Sequence, residues 1–316
     1  MLSRTHEDWA DQRHEPQIFD EVIGNTWAVN KLREFARTGN FTNLIFSGPP
    51  GCGKSCCAKI LGKDVNAEMR TWDASDDRGL PWVRKEVKPF AMTRSIDKPF
   101  KIAFADECEK VTPDAQDALR KVMVQYSNNC KFILATNNIA SIENYITSRC
   151  TPIRFGRLSD DDVYKIIHRV AGKENVLTKI SEEQLYAIAS SCYGDARRAI
   201  KVLQTLCEGG KVVTREDVEM VLPTADVDKI GSMLTFAFNG EFTDAIRLLE
   251  EILYKNMPQS IYEVIEKEFL DSKFSDSQKA VIAAALGSLP PGYALGERKH
   301  MYGFVANIYM HRGERY

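Results

Sequence analysis

The sequence predicts an α/β domain in the first half of the chain, with a parallel sheet covered by helices on both faces, followed by two regions built from helices alone. Three apolar runs of strand length alternate there with helical patterns, and they lie at residues 43–47, 101–105 and 131–136. After about Gly156 only helical spacing of apolar residues remains. Strands that alternate with helices form parallel sheets, which bind ligands at the carboxyl ends of the strands.

Composition indicates a globular protein of two or three domains. Of its 316 residues, 44% are apolar and 27% are charged, which is typical of chains with sizeable cores. The longest unbroken apolar run, residues 280–286, is far shorter than the roughly 20 residues that a membrane helix needs. The N-terminus also lacks the apolar segment of a secretory signal. We therefore expect no membrane partner and a cytoplasmic location, or a nuclear one if the source is eukaryotic.

Charge and cysteine content give no sign of a strongly basic nucleic-acid binder, a disulfide framework or a zinc site. The net charge of −2 gives no bulk signal for nucleic-acid binding, so any DNA contact must come from a local basic patch. The eight cysteines are scattered and form no C-x-x-C pair, and the five histidines are isolated. Reduced thiols are favoured over a disulfide framework or a zinc site.

Helical patterns set the expected domain boundaries. In the α/β domain they cover residues 55–63, 81–91 and 113–126; beyond it they cover 160–172, 181–191 and 195–208; after a break at 222–224 they cover 226–239, 241–255, 259–269, 275–286 and, past Pro290, 296–309. We expect an α/β domain over residues 1–156, a small helical domain over 157–223 and a helical C-terminal domain over 224–316.

A glycine-rich loop follows the first predicted strand. It reads Gly48-Pro49-Pro50-Gly51-Cys52-Gly53-Lys54-Ser55 and matches G-x-x-x-x-G-K-[ST] between a strand and a helix. In such loops backbone N–H groups cradle phosphates, and the following helix directs its positive end at them. Lys54 would reach the β and γ phosphates, and Ser55 would hold Mg²⁺. The competing interpretation is a turn that is glycine-rich by chance.

Two adjacent acids follow the second predicted strand. Asp106 is expected to bind Mg²⁺ and Glu107 to polarise the water that attacks the γ-phosphate. An Asp-Glu pair at a strand end is also a common helix N-cap. Its position on the next convincing strand after the glycine-rich loop favours the catalytic interpretation.

Five short segments then resemble the motifs of one family. They are residues 74–79 (similar to A-S-D-E-R-G), Asp106-Glu107-Cys108-Glu109 (similar to D-E-A-D or D-E-C-D), residues 116–123 (similar to Q-x-A-L-R-R-x-M), Ser148-Arg149-Cys150, and residues 194–199 (similar to G-D-M-R-R-A). With their order and spacing kept, the sequence resembles the small subunits of replication factor C, AAA+ ATPases that load sliding clamps. The resemblance implies an AAA+ P-loop domain, a helical lid domain and an all-α collar domain for oligomerisation.

Further site residues are implied by this resemblance. Asn137 falls on the sensor-1 position, where an amide contacts the γ-phosphate and the attacking water, although Asn137-Asn138 is also a plausible turn. Arg197 falls on the sensor-2 position in the lid; without the resemblance it would be interpreted as part of a solvated helix face. Arg149 falls on the arginine finger, which acts in trans on ATP held by the neighbouring subunit.

A basic helical stretch is the candidate DNA contact. Arg84, Lys85 and Lys88 recur at helical spacing, and the resemblance implies that this helix follows the duplex backbone. The alternative is a solvated helix of mixed charge.

The chain departs from the family near its start. The resemblance implies that a W-x-x-K-Y-R-P element borders adenine. In this chain the element is replaced by residues 9–16, a segment one residue longer, so the resemblance assigns no adenine contacts here. The zinc-binding cysteines of bacterial loader subunits are absent, which favours the archaeal, eukaryotic or phage branch.

The resemblance implies a function and a set of partners. The cofactors are ATP and Mg²⁺, and the partners are a sliding clamp, a clamp-loader large subunit, further small subunits and primer–template DNA. Two alternatives stay open: a non-hydrolysing scaffold subunit of the same assembly, and another AAA+ DNA motor of the branch-migration helicase type.

Overall fold

The protein divides into two compact units, Met1–Val213 and Thr214–Tyr316. The computed structural model describes residues 8–74, 79–222, 227–255, 261–262, 264–266, 274–288 and 298–313. No helix within these ranges is long and apolar enough to cross a membrane.

A five-stranded parallel sheet organises the first unit, with the strand order β2-β3-β4-β1-β5. The strands are β1 (Asn43–Ser47), β2 (Glu68–Asp73), β3 (Lys101–Asp106), β4 (Cys130–Thr136) and β5 (Cys150–Arg154). The three strands predicted from apolar runs are confirmed as β1, β3 and β4, and they form the centre of the sheet. The predicted α/β class with a parallel sheet is therefore confirmed.

Helices cover both faces of this sheet. They are α1 (Thr26–Thr38), α2 (Lys54–Asp64), α3 (Leu80–Trp82), α4 (Lys88–Met92), α5 (Pro113–Gln125) and α6 (Asn144–Thr147), and a π-helical segment (Val83–Val87) joins α3 to α4. Successive residues of a strand point to opposite faces. Phe46 accordingly packs with Leu32 and Leu61 from α1 and α2, while its neighbour Ile45 packs in the opposite core with Leu119 from α5.

Three helices complete the first unit. They are α7 (Asp160–Lys173), α8 (Glu182–Ser191) and α9 (Ala196–Cys207), they pack on one another, and they match the predicted helical region after the sheet. Each begins at a side-chain cap: the side chains of Ser159, Ser181 and Asp195 accept hydrogen bonds from backbone N–H groups in the first turn. Their starts are thus fixed by local sequence.

In its described part, the second unit is helical. Its helices are α10 (Arg215–Val221), α11 (Val227–Asn239), α12 (Phe242–Lys255), α13 (Asp276–Gly287) and α14 (Arg298–His311). Most of the helix predicted at 259–269, much of the break at 222–224 and the turn after Pro290 lie outside the described residues. The division into three domains at residues 156 and 223 stays a prediction.

Candidate active site

A cavity of about 400 Å³ opens at the carboxyl ends of the central strands. The register of the sheet sets Ser47 at the end of β1 beside Thr136 at the end of β4, and β3 ends next to β4. The cavity is lined by the predicted phosphate loop from Pro50 to Ser55, and by Asp106, Glu107, Asn137 and Arg197. The structure therefore brings together the side chains predicted from three strand ends and from the lid.

The phosphate loop is too tightly enclosed to carry side chains at two of its glycines. A Cβ atom at Gly48 would lie 2.2 Å from the carbonyl oxygen of Phe155, and one at Gly51 would lie 1.9 Å from Oδ1 of Asp195. Gly51 also has a φ of 69°, in the left-handed region. Gly51 therefore has both a conformational and a steric reason to be glycine.

The ammonium group of Lys54 is enclosed by the loop. It is the first residue of α2 and is only 7% exposed. Its Nζ atom donates hydrogen bonds to the carbonyl oxygens of Gly48 and Pro49, both at 2.8 Å, and to Oδ1 of Asn137 at 2.9 Å. A buried ammonium held by three oxygens is a strong, fixed positive charge beside the loop.

The two predicted Mg²⁺ ligands lie together. The hydroxyl of Ser55 donates a 2.5 Å hydrogen bond to Oδ2 of Asp106, so the start of α2 is joined to the end of β3. Hydroxyl and carboxylate oxygens are the donors that Mg²⁺ prefers, usually completed by water and substrate phosphates. Among the described residues no cluster of three or more His, Cys, Asp or Glu side chains suits a metal.

Glu107 is held in an uncommon backbone conformation. Its φ is 52°, in the left-handed region, and its N–H donates to Oδ1 of Asp106 at 2.9 Å. The carboxylate is paired with Lys110 three residues later. Strained backbone of this kind often accompanies functional residues.

Asn137 is held from two sides. Its Oδ1 accepts from Lys54, while its backbone N–H and its side-chain Nδ2 donate to the two carboxylate oxygens of Glu109 at 3.1 and 2.7 Å. Burial would raise the pKa of Glu109, but hydrogen bonds from its own backbone, Thr136 and Asn137 outweigh burial and lower that pKa. Sequence reasoning included Glu109 only as the last letter of a motif and gave it no role.

The N-terminal segment also lines the cavity. The imidazole of His14, 6% exposed, pairs through Nε2 with Glu174 at 2.7 Å, and the N–H of Trp9 donates to Gln204 at 3.1 Å. His14 lines the cavity together with Ile166 and Ile200 from the lid helices. The divergent segment thus lies at the site despite its departure from the family pattern.

Arg197 lies on the first turn of α9 and lines the same cavity. The start of this helix touches the phosphate loop directly, since the N–H of Ala196 donates to the carbonyl oxygen of Gly51 at 3.3 Å. The predicted sensor position is therefore close to the loop in three dimensions, although the two segments are far apart in sequence.

Arg149 does not belong to this cavity. It directly precedes Cys150, which pairs with Asn43 at the amino end of β1, whereas the phosphate loop follows Ser47 at the carboxyl end. At about 3.3 Å per residue, these ends are roughly 13 Å apart, farther than an arginine side chain extends. The exposed guanidinium donates to the carbonyl oxygen of Tyr145 at 2.6 Å. Arg149 is therefore separated from its own phosphate loop.

The basic stretch has one buried and one exposed face. Val83 and Val87 are buried against the sheet, whereas Arg84, Lys85 and Lys88 are exposed. A groove of about 410 Å³ separates the basic face from α5. Most of the motif at 74–79 lies outside the described residues.

Comparisons with known proteins agree with this geometry. Residues 44–158 match the family described as "ATPase family associated with various cellular activities (AAA)". A replication factor C small subunit of Methanocella arvoryzae is 37% identical over 255 residues, covering 78% of each chain, and one of Staphylothermus marinus is 36% identical over 291 residues, covering 89% of this chain and 87% of its own.

Solved structures agree at the level of the fold. The Thermotoga maritima RuvB Holliday junction branch migration motor superposes with a TM-score of 0.56 at 16% identity, covering 70% of this chain and 78% of its own. At this identity the likeness concerns the fold alone.

Proposed function

The chain belongs to the replication factor C small-subunit family of AAA ATPases, and from this premise we propose that it couples ATP hydrolysis to loading a ring-shaped sliding clamp onto primer–template DNA. ATP-driven tightening of an assembly of such subunits would grip and open the clamp. Hydrolysis would then release the closed ring around DNA. The chemical products are ADP and phosphate, and the result of the cycle is a closed clamp that encircles the DNA.

The observation that carries this proposal is the convergence of four groups at one cavity. Lys54, the Ser55–Asp106 pair, Glu107 and Asn137 come from three different strand ends and meet at the phosphate loop. Bound Mg²⁺ would neutralise charge on the phosphates. Such a set would do more than bind nucleotide, because Glu107 is suited to deprotonate water and Asn137 to orient it.

Hydrolysis at this cavity has a simple balance. The oxygen of a water molecule forms a bond to the γ-phosphorus while the bond from that phosphorus to the bridging oxygen of ADP breaks, and Glu107 receives the proton of the water. Lys54 stabilises negative charge on the phosphate oxygens. The full set of groups favours an active subunit over a non-hydrolysing scaffold.

The position of Arg149 supports an assembly of subunits. Because it lies at the amino end of the sheet, its exposed guanidinium is available to an ATP bound by a neighbouring subunit. An arginine supplied in trans completes a phosphate site by stabilising charge in the transition state. We propose that the C-terminal region, residues 224–316, acts as a collar that joins these subunits, including a large subunit.

The exposed basic face supports contact with DNA. Arg84, Lys85 and Lys88 would neutralise phosphates without reading bases, which suits a machine that must act at any primer end. These partners imply a cytoplasmic protein, or a nuclear one in a eukaryote. The relatives' names favour clamp loading over branch migration, since the likeness to RuvB is limited to the fold.

The test is an ATPase assay on the chain assembled with its large subunit. We expect turnover to rise when the sliding clamp and primed DNA are both present, and to rise less with either alone. Turnover stimulated by four-way junction DNA without a clamp would support the branch-migration alternative. An assembly that binds ATP without hydrolysing it would indicate a scaffold subunit.

A further inference from the structure

The side chain of Asn137 presents a defined atom to the phosphate loop only if its amide is prevented from turning over. An amide carries an acceptor on one side and a donor on the other, and rotation by half a turn exchanges them. In this structure Oδ1 faces the ammonium of Lys54 at 2.9 Å and Nδ2 faces Oε1 of Glu109 at 2.7 Å. The turned amide would set two donors against each other and two acceptors against each other.

Glu109 is well placed to enforce this choice. It lies in the short helix (Cys108–Lys110) after β3, while Asn137 follows β4, and the pair is 28 residues apart in sequence. One carboxylate oxygen accepts from Nδ2 and the other from the backbone N–H of Asn137, at 3.1 Å. The two-point contact fixes both the backbone and the side chain of the same residue.

The charge state of Glu109 makes the contact selective. An ionised carboxylate can only accept hydrogen bonds, whereas a neutral amide or a protonated acid can also donate one. Because hydrogen bonds lower its pKa despite its partial burial, Glu109 is ionised at neutral pH. Only the donor side of the Asn137 amide can therefore face it.

We propose that Glu109 is a positioning residue that fixes the amide of Asn137 with its oxygen toward Lys54 and the attacking water. The inference rests on the ATPase function proposed above. A carbonyl oxygen has two lone pairs, so Oδ1 can accept from Lys54 and from the attacking water together. Glu109 itself does not line the cavity, so it acts by setting which atom of Asn137 faces the cavity.

The first experiment replaces Glu109 by Gln in the full chain, assembled with its partner subunits. Gln has the same shape, but its neutral amide can accept through only one side, so one of the two contacts with Asn137 is lost and the restraint on its amide is weakened. We expect kcat for ATP to fall about 10- to 100-fold, the rate equivalent of one hydrogen bond to a charged group. Affinity for a non-hydrolysable ATP analogue should stay within about twofold, because binding does not require the oriented water.

A double-mutant cycle separates positioning from a structural role. If Glu109 acts through Asn137, Glu109→Gln should lower kcat strongly in the wild-type background and hardly at all in an Asn137→Ala background. Glu109→Asp keeps the charge but shortens the side chain, so it should lie between wild type and Glu109→Gln. The matched control is Glu34→Gln, on the exposed face of α1, which should turn over like the wild type.

The outcomes distinguish this inference from the proposed function. A wild-type assembly without ATPase activity refutes the function, and the positioning role with it. An active wild type in which Glu109→Gln retains full kcat, or lowers kcat by the same factor with and without Asn137, refutes only the role of Glu109. If Glu109→Gln does not fold, as judged by thermal unfolding, the same cycle is run with Glu109→Asp, and equal losses in both backgrounds again refute the positioning role.

Discussion

The ammonium of Lys54 and Oδ1 of Asn137 lie 2.9 Å apart, so the first turn of α2 and the residue that follows β4 share one hydrogen bond. The two strands that lead into these residues are neighbours, with Ser47 opposite Thr136. The parts of the site that we propose to bind phosphate and to orient water are therefore fixed to each other by the sheet and by this contact.

Lys54→Ala should weaken nucleotide binding, since the lost charge faces the phosphates before and during the reaction. We expect the dissociation constant for an ATP analogue to rise about 10- to 100-fold, the equivalent of about 1.5–3 kcal/mol for a hydrogen bond to a charged group. Titration calorimetry measures this change. Lys63→Ala, an exposed lysine in the last turn of α2, is the control and should bind as the wild type does. Unchanged affinity in Lys54→Ala would contradict the assignment.

Glu107→Gln should keep nucleotide affinity and lose turnover. The amide preserves shape but cannot take the proton of the attacking water, and loss of a general base typically costs about 10²- to 10⁴-fold in rate. Single-turnover ATPase rates and binding of the same analogue provide the two readouts. Wild-type turnover in this variant would refute the assignment of Glu107.

Arg149→Ala should leave the mutated subunit able to bind ATP while slowing hydrolysis at the neighbouring site. If the guanidinium acts in trans, mixing Arg149→Ala with Lys54→Ala subunits restores only those interfaces that pair an intact Lys54 with a neighbour's intact Arg149. ATPase activity measured with clamp and primed DNA should then rise and fall with the mixing ratio. Activity that stays at the mutant level in a complex shown to co-assemble would indicate action in cis.

Replacing Arg84 and Lys88 together by Ala should weaken primer–template binding by a similar factor for every sequence. Loss of two phosphate contacts should also lower the slope of log affinity against log salt by about 2. Fluorescence anisotropy at several salt concentrations measures both quantities. The control is the double variant Arg37→Ala, Lys63→Ala, which removes two exposed charges from α1 and α2. Equal effects of the two double variants would mean that the basic face has no special contact with DNA.

Burial of the Cys150 thiol predicts a loss of stability at alkaline pH. Desolvation raises the pKa of Cys150 to about 12 from an ordinary value of 9.0. Between these values the unfolded chain releases the proton and the native protein keeps it, so the free energy of unfolding falls as pH rises, by up to about 1.4 kcal/mol per pH unit for this thiol.

Cys150→Ala removes this contribution. The wild type should therefore lose more stability than Cys150→Ala between pH 8 and pH 10, as measured by urea unfolding. Ile153→Val, a change without a titrating group at a buried position of the same strand, should show the same pH dependence as the wild type. A pH dependence shared by all three proteins would contradict the prediction.

The central strands could be predicted from sequence, but the two edge strands could not. β1, β3 and β4 are buried on both faces and therefore consist of apolar runs. β2 is largely polar and only partly buried, and β5 contains Pro152, which usually argues against a strand. Both lie at the edges of the sheet, where exposed residues and a missing N–H are tolerated. Their sequences carry no strong strand signal for this reason.

The site divides in a similar way. The phosphate loop and the acidic pair were predictable because their chemistry is written in consecutive residues that follow a strand. The contact between Glu109 and Asn137 joins two segments through the order of the sheet, with β3 beside β4. No spacing in a single sequence reveals such a pair. Spacing also does not reveal that Arg149 lies at the amino end of β5, away from the phosphate loop.

The start of α9 packs directly against the phosphate loop. The N–H of Ala196 donates a hydrogen bond to the carbonyl oxygen of Gly51, and Asp195 occupies the space that a side chain on that glycine would need. If a ligand at the loop shifts α9 through these contacts, a shift of α9 changes affinity at the loop by the same free energy, because coupling between two sites is reciprocal. Gly51 is thus the residue through which movement of the helix that begins at Ala196 would reach the phosphate loop.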